Sequence, residues 1–188
     1  MGEGRMKVID WFCHSSEIRE QIENSRERLY RVAYSWCHDM DLADDLVQDT
    51  VIKAFRNNKQ LRDVKAINSW LFRILYNCWC DHLRSKKDTV SYDDNLQYHD
   101  QSPENITATL ETVTQVQNSI KALPEGQRQV VTLVAMEGFS YGEVAEILDI
   151  PIGTVMSRLC RARNTLAERL KKSSQMIRKI NPALRRVK

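Results

Sequence analysis

The chain has 188 residues and 42% hydrophobic content, which suits two small folded domains and excludes two large ones. Its five cysteines are an odd number, which argues against a complete disulfide framework, and charged residues among the first ten positions argue against a signal peptide or membrane span there. We therefore expect a cytoplasmic protein without membrane insertion.

The net charge of +3 hides an uneven distribution along the chain. Residues 1–87 carry 15 basic and 13 acidic side chains, residues 88–111 carry six acidic side chains and no Lys or Arg, and residues 112–188 carry 13 basic and six acidic ones. An acidic segment thus separates two bodies, of which the second is strongly basic. This asymmetry indicates a nucleic-acid partner for the C-terminal body.

Two amphipathic helices are predicted in the first part of the chain. From residue 16 to residue 37 apolar residues recur at helical spacing, interrupted by a charged run at 23–28. After a polar turn, Asp41 is predicted to cap a second helix. The outer side of this second helix is acidic with an apolar fringe and contains Asp45, Gln48, Asp49 and Ile52. The helix dipole favours carboxylates in a first turn, but Gln48, Asp49 and Ile52 lie beyond that turn and also suit a docking surface.

A loop and a third helix follow. Residues 56–68 lack helical periodicity and are predicted to form an ordered loop on a basic surface. From residue 69 to residue 87 the chain is helical again, with Arg73, Asn77 and Arg84 on its outer side. The same helix carries the aromatic residues Trp70, Tyr76 and Trp79. Cations beside aromatic rings suit binding to an opened duplex, although the rings, Trp79 above all, equally suit a core.

We expect no enzyme activity, no catalytic residue, no metal and no cofactor. Cys78, Cys80 and His82 superficially resemble a metal-binding set. On a helix, however, the second residue along lies about 200° around from the first, so the two thiols cannot share one ion. The four histidines fall in separate segments without a nucleophile or metal motif around them.

Residues 88–111 show neither helical nor strand periodicity and are predicted to be a flexible linker. After them, one helix is predicted to end at Pro124, and a second leads to Gly138. The buried side of the second is predicted to contain Val130, Val131, Leu133, Val134 and Met136. The tail beyond Ser173 is expected to be frayed and to attract phosphates without sequence preference.

Residues 140–163 are predicted to form a helix-turn-helix, because Ser140 and Glu143 have the spacing of a capping box and Pro151 separates two helical patterns. In the second helix, Val155, Leu159 and Ala162 form a buried stripe. The opposite stripe consists of Thr154, Ser157, Arg158 and Arg161. Small polar groups followed by arginines suit the major groove of DNA, and the small Gly153 would let the backbone approach it closely. A solvated face is the alternative.

These patterns predict an all-α fold with two small helical domains joined by a flexible acidic linker. The predicted boundaries are an N-terminal domain at 1–87, the linker at 88–111, a four-helix C-terminal domain with the helix-turn-helix at 112–175, and a basic tail at 176–188.

Three stretches resemble the extracytoplasmic-function (ECF) sigma factors of bacterial RNA polymerase. The family's helix that docks on the clamp coiled coil of the polymerase β′ subunit is matched by ADDLVQDTVIKAF at 43–55. Its helix for reading and opening the minus-ten element is matched by SWLFRILYNCWCDHLRSKK at 69–87. Its minus-thirty-five domain is matched by LPEGQRQVVTLVAMEGFSYGEVAEILDIPIGTVMSRLCRAR at 123–163. Three motifs in this order and spacing identify the chain as a member of the family.

The resemblance implies a transcription initiation factor that binds core polymerase through the β′ clamp coiled coil and the β flap, directs it to promoter DNA and stabilises the melted minus-ten region. The residues that would bind the polymerase are Asp45, Gln48, Asp49 and Ile52. Those that would contact the downstream element, with Asn77 and the 56–68 loop holding a flipped base, are Arg62, Arg73, Asn77 and Arg84. Those that would read the upstream element are Thr154, Ser157, Arg158 and Arg161. An anti-sigma factor is implied as a further partner.

The chain departs from the family at two places. Members often have a small or aliphatic residue where Cys78 and Trp79 stand, and the loop at 56–68 lacks a clear family signature, so no promoter sequence can be assigned. In the family the linker runs through the core enzyme, where its acidic charge would mimic nucleic acid in a basic channel; a plain tether is the alternative. The competing function is a stand-alone helix-turn-helix regulator that binds duplex DNA without polymerase.

Overall fold

The structure, a computed structural model, describes residues 18–58, 61, 63, 66–89 and 116–180, with side chains described as far as Lys86 and Lys171 in the last two ranges. Every regular element in these ranges is helical, which confirms the predicted all-α fold. The helices are α1 at 18–24, α2 at Arg26–Cys37, α3 at Met40–Asn57, α4 at Ile67–Thr89, α5 at 116–121, α6 at Glu125–Val131, α7 at Tyr141–Leu148 and α8 at Ile152–Ile180, and a π-helical turn at Thr132–Met136 continues α6. None of the described helices combines the length and the apolar character that a membrane span needs.

The N-terminal unit consists of α1 to α4, and its helix boundaries differ slightly from the prediction. The first predicted helix is broken at Ser25, within the charged run, where the Ser25 hydroxyl donates to the carbonyl of Gln21 (2.8 Å). The cap of α3 is Asp39 and not Asp41, because the Asp39 carboxylate accepts from the backbone N–H of Leu42 (3.1 Å). Most of the predicted apolar stripes are buried, with Ile22, Leu29, Val32, Trp36, Leu46, Leu71 and Leu75 in the core, whereas Leu42, Phe55, Ile74 and Leu83 are only half-buried.

The C-terminal unit consists of α5 to α8 and has the predicted helix-turn-helix. Ser140 caps α7 in a capping box, in which its hydroxyl accepts from the N–H of Glu143 and the Glu143 carboxylate accepts from the N–H of Ser140. These hydrogen bonds lower the pKa of Glu143. Asp149 ends α7 in the left-handed conformation (φ 51°), and Pro151 directly precedes α8.

The π-helical turn overturns part of the predicted core of this unit. Its wider hydrogen bonding, with the N–H of Glu137 donating to the carbonyl of Thr132 (3.3 Å), rotates the side chains that follow Val131. Leu133 is buried as predicted, but Val134 is only half-buried and Met136 is 45% exposed. Thr132 is buried instead, and its hydroxyl is hydrogen-bonded to that of Ser35 in α2 (2.9 Å).

The two units pack directly against each other, which the sequence did not predict. The rings of Phe72 in α4 and Phe139 before α7 meet edge to face, with centroids 5.1 Å apart. The Trp79 indole N–H donates to the Glu125 carboxylate at the start of α6 (2.8 Å). The buried residues of both units consequently form one hydrophobic core.

The helices extend into both the predicted linker and the predicted tail. Helix α4 ends at Thr89, two residues beyond the predicted end of the N-terminal domain at 87, and α8 continues to Ile180, so the tail is helical beyond the residue where fraying was expected. Residues 90–115 and 181–188 lie outside the described residues, as does Arg62, and predictions about them stay predictions.

Candidate nucleic-acid interface

The outer face of α3 comprises Asp45, Gln48, Asp49 and Ile52, all of which are exposed. Ala43, Leu46, Val47 and Thr50 turn the opposite side of the helix into the core. Ile52 is 46% exposed and places an aliphatic side chain beside the acidic ones. The side chains of the α3 outer face therefore do not contribute to the core of the N-terminal unit.

A shallow groove runs beside this face, between α2 and α3. Val47 and Val51 form its apolar floor, and Gln48 and Ile52 border it on α3. Helix α2 contributes Tyr30 to the groove. Tyr30 was not predicted from the sequence, where α2 was interpreted only through its buried residues. Its position directly after the buried Leu29 could have placed it beside the buried side of the helix.

Helix α4 presents Arg73, Asn77 and Arg84 to solvent on its outer side. Arg84 donates to the Asp81 carboxylate (2.8 Å), which also pairs with Lys53 of α3 (3.3 Å). The structure therefore brings these three predicted residues to one helix, with Arg84 held in an exposed ion-pair network.

The aromatic residues of α4 are mostly engaged in packing. Trp79 is buried and stacks on His82, with ring centroids 5.9 Å apart. Tyr76 is half-buried against Trp36, and its burial, with a hydrogen bond to Cys80, raises the pKa of Tyr76 to about 12. The Trp79 and Tyr76 rings are therefore packed within the protein and are not free to stack on a DNA base.

The thiols of α4 lie in different surroundings. Cys78 is buried and accepts from the Thr50 hydroxyl (3.8 Å), whereas Cys80 is half-buried beside Tyr76. Within the described ranges, no group of three or more His, Cys, Asp or Glu side chains is arranged to hold a metal ion.

Helix α8 is oriented by Val155, Leu159 and Ala162, which are all buried. Arg161 is exposed, and Ser157 is half-buried with its hydroxyl donating to the carbonyl of Thr154 (3.1 Å). Gly153 is exposed, and no described atom lies within 4 Å of where a side chain there would begin, so packing within the chain does not require glycine at this position.

Arg158 differs from the other members of the predicted stripe. It is half-buried, and its guanidinium lies on the backbone of Gly126 at the start of α6, so that a side chain at position 126 would begin 3.0 Å from the Arg158 Cζ. Met156 and Cys160 are instead exposed on α8. Neither residue was predicted as a site residue, although the spacing of the buried stripe indicates that both lie on the exposed side of α8.

Two segments of the chain match families of known proteins. Residues 22–89 match sigma-70 region 2, and residues 114–166 match sigma-70 region 4. The chain is 37% identical over 145 residues to the ECF RNA polymerase sigma factor SigM of Mycobacterium tuberculosis, covering 76% of this chain and 71% of that protein. It belongs to the ECF family of RNA polymerase sigma factors. The resemblance noted from the sequence is thereby confirmed.

Further relatives agree with this assignment. The ECF RNA polymerase sigma-E factor of Haemophilus influenzae is 34% identical over 138 residues, which are 67% of this chain and 73% of that protein. Among solved structures, the sigma factor RpoE in complex with the anti-sigma factor NepR from Bartonella quintana matches with a TM-score of 0.67 at 28% identity, over 81% of this chain and 96% of that one. CnrH in complex with the cytosolic domain of CnrY matches with a TM-score of 0.59 at 25% identity, over 82% and 88%. This ECF sigma factor directs RNA polymerase to promoters.

Proposed function

We propose that this ECF sigma factor joins core polymerase through the α3 outer face and contacts promoter DNA with two surfaces, one on α4 and one on α8. The observation that carries the proposal is the α3 outer face itself. It keeps Gln48, Asp49 and Ile52 exposed, while the opposite side of α3 is buried in the core through Ala43, Leu46, Val47, Thr50, Val51 and Ala54. An acidic face with an apolar fringe suits the β′ clamp coiled coil, because apolar contact supplies affinity and charge selects the partner. The β flap would bind the C-terminal unit.

The α4 surface would act on the downstream promoter element once its strands separate. Arg73 and Asn77 lie one turn apart and are both exposed, so a cation for a phosphate and an amide for a base edge stand side by side. Capture of a flipped base by Asn77 would offset an unstacking cost of a few kcal/mol. Arg84 would add a phosphate contact, and Arg62, which lies outside the described residues, is proposed for the same surface.

The α8 surface would read the upstream element in duplex form. Arg161 is exposed and is placed to reach a base edge or a phosphate, with Ser157 one turn before it. Thr154 and Arg158 are half-buried, and the Arg158 guanidinium would have to leave Gly126 to reach DNA. Its flexible stem permits that movement, so Arg158 is proposed as a contact formed on binding.

A protein that restrains this activity is proposed as a third partner. RpoE and CnrH, which share the fold of this chain, were solved with an anti-sigma factor and with the cytosolic domain of CnrY, respectively. We infer an anti-sigma factor for this chain on that basis.

Substitution of the docking face tests the first step. Gln48→Ala combined with Asp49→Ala should weaken binding to core polymerase at least tenfold, while the free energy of unfolding stays within about 0.5 kcal/mol of wild type. The matched control is Glu20→Ala with Gln21→Ala, an adjacent exposed acidic and amide pair on α1, which should bind normally. A docking variant that binds like the control would mean that the face does not bind polymerase, and one that unfolds would mean that the face is structural.

Run-off transcription with purified core polymerase on a genomic library tests the whole proposal. We expect transcripts that depend on the chain and that reveal its promoter. A yield no higher than with core polymerase alone would contradict the proposal. Footprinting of duplex DNA by the chain without polymerase, together with that result, would favour the stand-alone regulator.

A further inference from the structure

The exposed side of α8 contains apolar residues where a DNA-reading helix would be expected to carry polar ones. Ile152 is 49% exposed and Met156 is 48% exposed, and they lie one turn apart at the start of the helix. Cys160 is exposed a further turn along. Single exposed apolar residues are ordinary on protein surfaces. On α8, however, exposed apolar residues follow one another over the first turns of the helix. The proposed arginine contacts do not explain this arrangement.

The chemistry of Met156 limits what it could recognise. Its thioether has no hydrogen to donate and is only a weak acceptor, so it cannot form the paired hydrogen bonds by which arginine or asparagine selects a base. Its flexible chain and polarizable sulfur instead suit contact with another apolar group. In the major groove the apolar group that base pairs offer is the C5-methyl group of thymine.

We propose that Met156 is a specificity-determining residue of this sigma factor, and that its side chain contacts a thymine methyl group in the upstream promoter element. The inference rests on the proposed function, and it adds a second mode of readout to that function. Arg161 would supply the charged contact, while Met156 would impose a preference for an A·T pair at a neighbouring position.

The surroundings of Met156 favour DNA over a protein as the occupant of this face. Arg161 and Arg163 are both exposed within two turns of it, and cations beside an apolar contact match a groove lined by phosphates. The buried Val155 and Leu159 hold the other side of the helix against the chain, so Met156 cannot turn inward. Met156 also lies within the segment that matches sigma-70 region 4.

The test removes single methyl groups from the promoter. With holoenzyme formed from the full chain, each thymine of the upstream element found by run-off transcription is replaced in turn by uracil, which lacks only the methyl group. For wild type we expect at least one position at which the replacement weakens promoter binding about fourfold, the effect of losing one buried methyl-sized group. For Met156→Ala, binding should be weaker from the start and should not respond to uracil at that position.

The control is Met136→Ala, which removes a methionine of similar exposure (45%) in the same unit but outside α8. This variant should keep the uracil sensitivity of wild type. Exchange of the sensitive A·T pair for a G·C pair should weaken binding by wild type, and 5-methylcytosine at the same place should restore part of it. That partial rescue would be absent from Met156→Ala.

Several results would overturn the proposal. One is insensitivity of wild-type binding to uracil at every position. Another is full uracil sensitivity in Met156→Ala, which would assign the methyl contact to another residue. A loss of affinity of Met156→Ala for core polymerase, with DNA preference unchanged, would make this face a protein-binding one. Failure of the proposed function is distinct, because wild-type holoenzyme would then give no promoter-dependent transcripts at all.

Discussion

The α3 outer face and the α8 helix are both proposed as binding surfaces, but they differ in how far the chain itself covers them. Gln48, Asp49 and Ile52 are exposed on a face that the folded chain leaves open. On α8, Arg161 is exposed, but Arg158 is half-buried against Gly126 of the same unit. The proposed polymerase-binding face is therefore open to a partner in the folded chain, whereas part of the proposed DNA-reading helix would have to rearrange to bind.

Helix α4 differs from both, because it combines a proposed DNA surface with a packing surface between the units. Its outer side carries Arg73 and Asn77, while Phe72 and Trp79 pack against the C-terminal unit. A sigma factor whose units are joined in this way exposes some contacts and covers others. The stability of the contact between the units consequently decides how firmly the covered side of α4 is held.

The largest effect on this contact is expected at Glu137, whose side chain is only 1% exposed and accepts from Arg28 Nε of the N-terminal unit (2.8 Å). Glu137→Ala would leave the Arg28 guanidinium without this partner. Loss of one partner of a fully buried pair costs about 3–5 kcal/mol, but Arg28 is 33% exposed and can be rehydrated. We expect a loss of about 1–3 kcal/mol in the free energy of unfolding, measured with urea.

The control for this variant is Glu27→Ala, which removes a carboxylate that also pairs with an arginine but is 84% exposed. It should change the free energy of unfolding by less than about 0.5 kcal/mol. Equal effects of the two variants would mean that Glu137 is not buried between the units in solution.

A smaller effect is expected from the hydrogen bond between Trp79 and Glu125, which also joins the units (2.8 Å). Trp79→Phe and Glu125→Ala should each reduce stability, and the double variant should reduce it by about 1 kcal/mol less than the sum. Such coupling, measured by urea unfolding of all four proteins, requires the two side chains to be in contact. Strictly additive effects would show that the units do not pack through this bond.

A last effect depends on pH and involves His38, which lies at the end of α2 and faces Arg128 and Lys121 of the C-terminal unit. Burial first, and then these two cations, lower the pKa of His38 from 6.5 to about 4. The unfolded chain therefore binds a proton before the folded chain does, and stability falls as the pH falls from about 6.5 to about 4.

Substitution of His38 isolates its contribution to this loss. His38→Asn keeps a residue that tolerates the left-handed backbone conformation there (φ 57°) but cannot titrate. The variant should lose less stability than wild type between neutral pH and about pH 4, while carboxylates contribute equally to both proteins. Parallel stability curves would contradict the assigned environment of His38.

The sequence was most informative where local chemistry decides the structure. The capping box of Ser140 and Glu143 was predicted correctly because its hydrogen bonds join residues three apart. Asp39 and Asp41 are both chemically competent caps, and periodicity could not choose between them. The packing of the two units depends on contacts between distant segments, such as Phe72 with Phe139, and no local pattern encodes it.

The departure of Trp79 from the family pattern acquires a physical explanation in the structure. Its indole fills the space between the units and finds a partner in Glu125. Met136 shows the opposite outcome, because a π-helical turn that periodicity did not reveal turns a predicted core residue toward solvent. The half-buried position of Arg158 likewise results from its contact with Gly126 of α6, which the apolar periodicity of α8 alone does not predict.

The central claim is that α4 acts on opened DNA and α8 on duplex DNA. It is tested most directly by comparing Asn77→Ala with Arg161→Ala on a closed promoter and on one with a premelted minus-ten region. Asn77→Ala should bind the closed promoter almost normally and open less of it, as measured by permanganate reactivity of unpaired thymines. A premelted template supplies the unstacking energy in advance, so it should restore Asn77→Ala much more than Arg161→Ala. Equal restoration of both variants, or of neither, would contradict this division between the two helices.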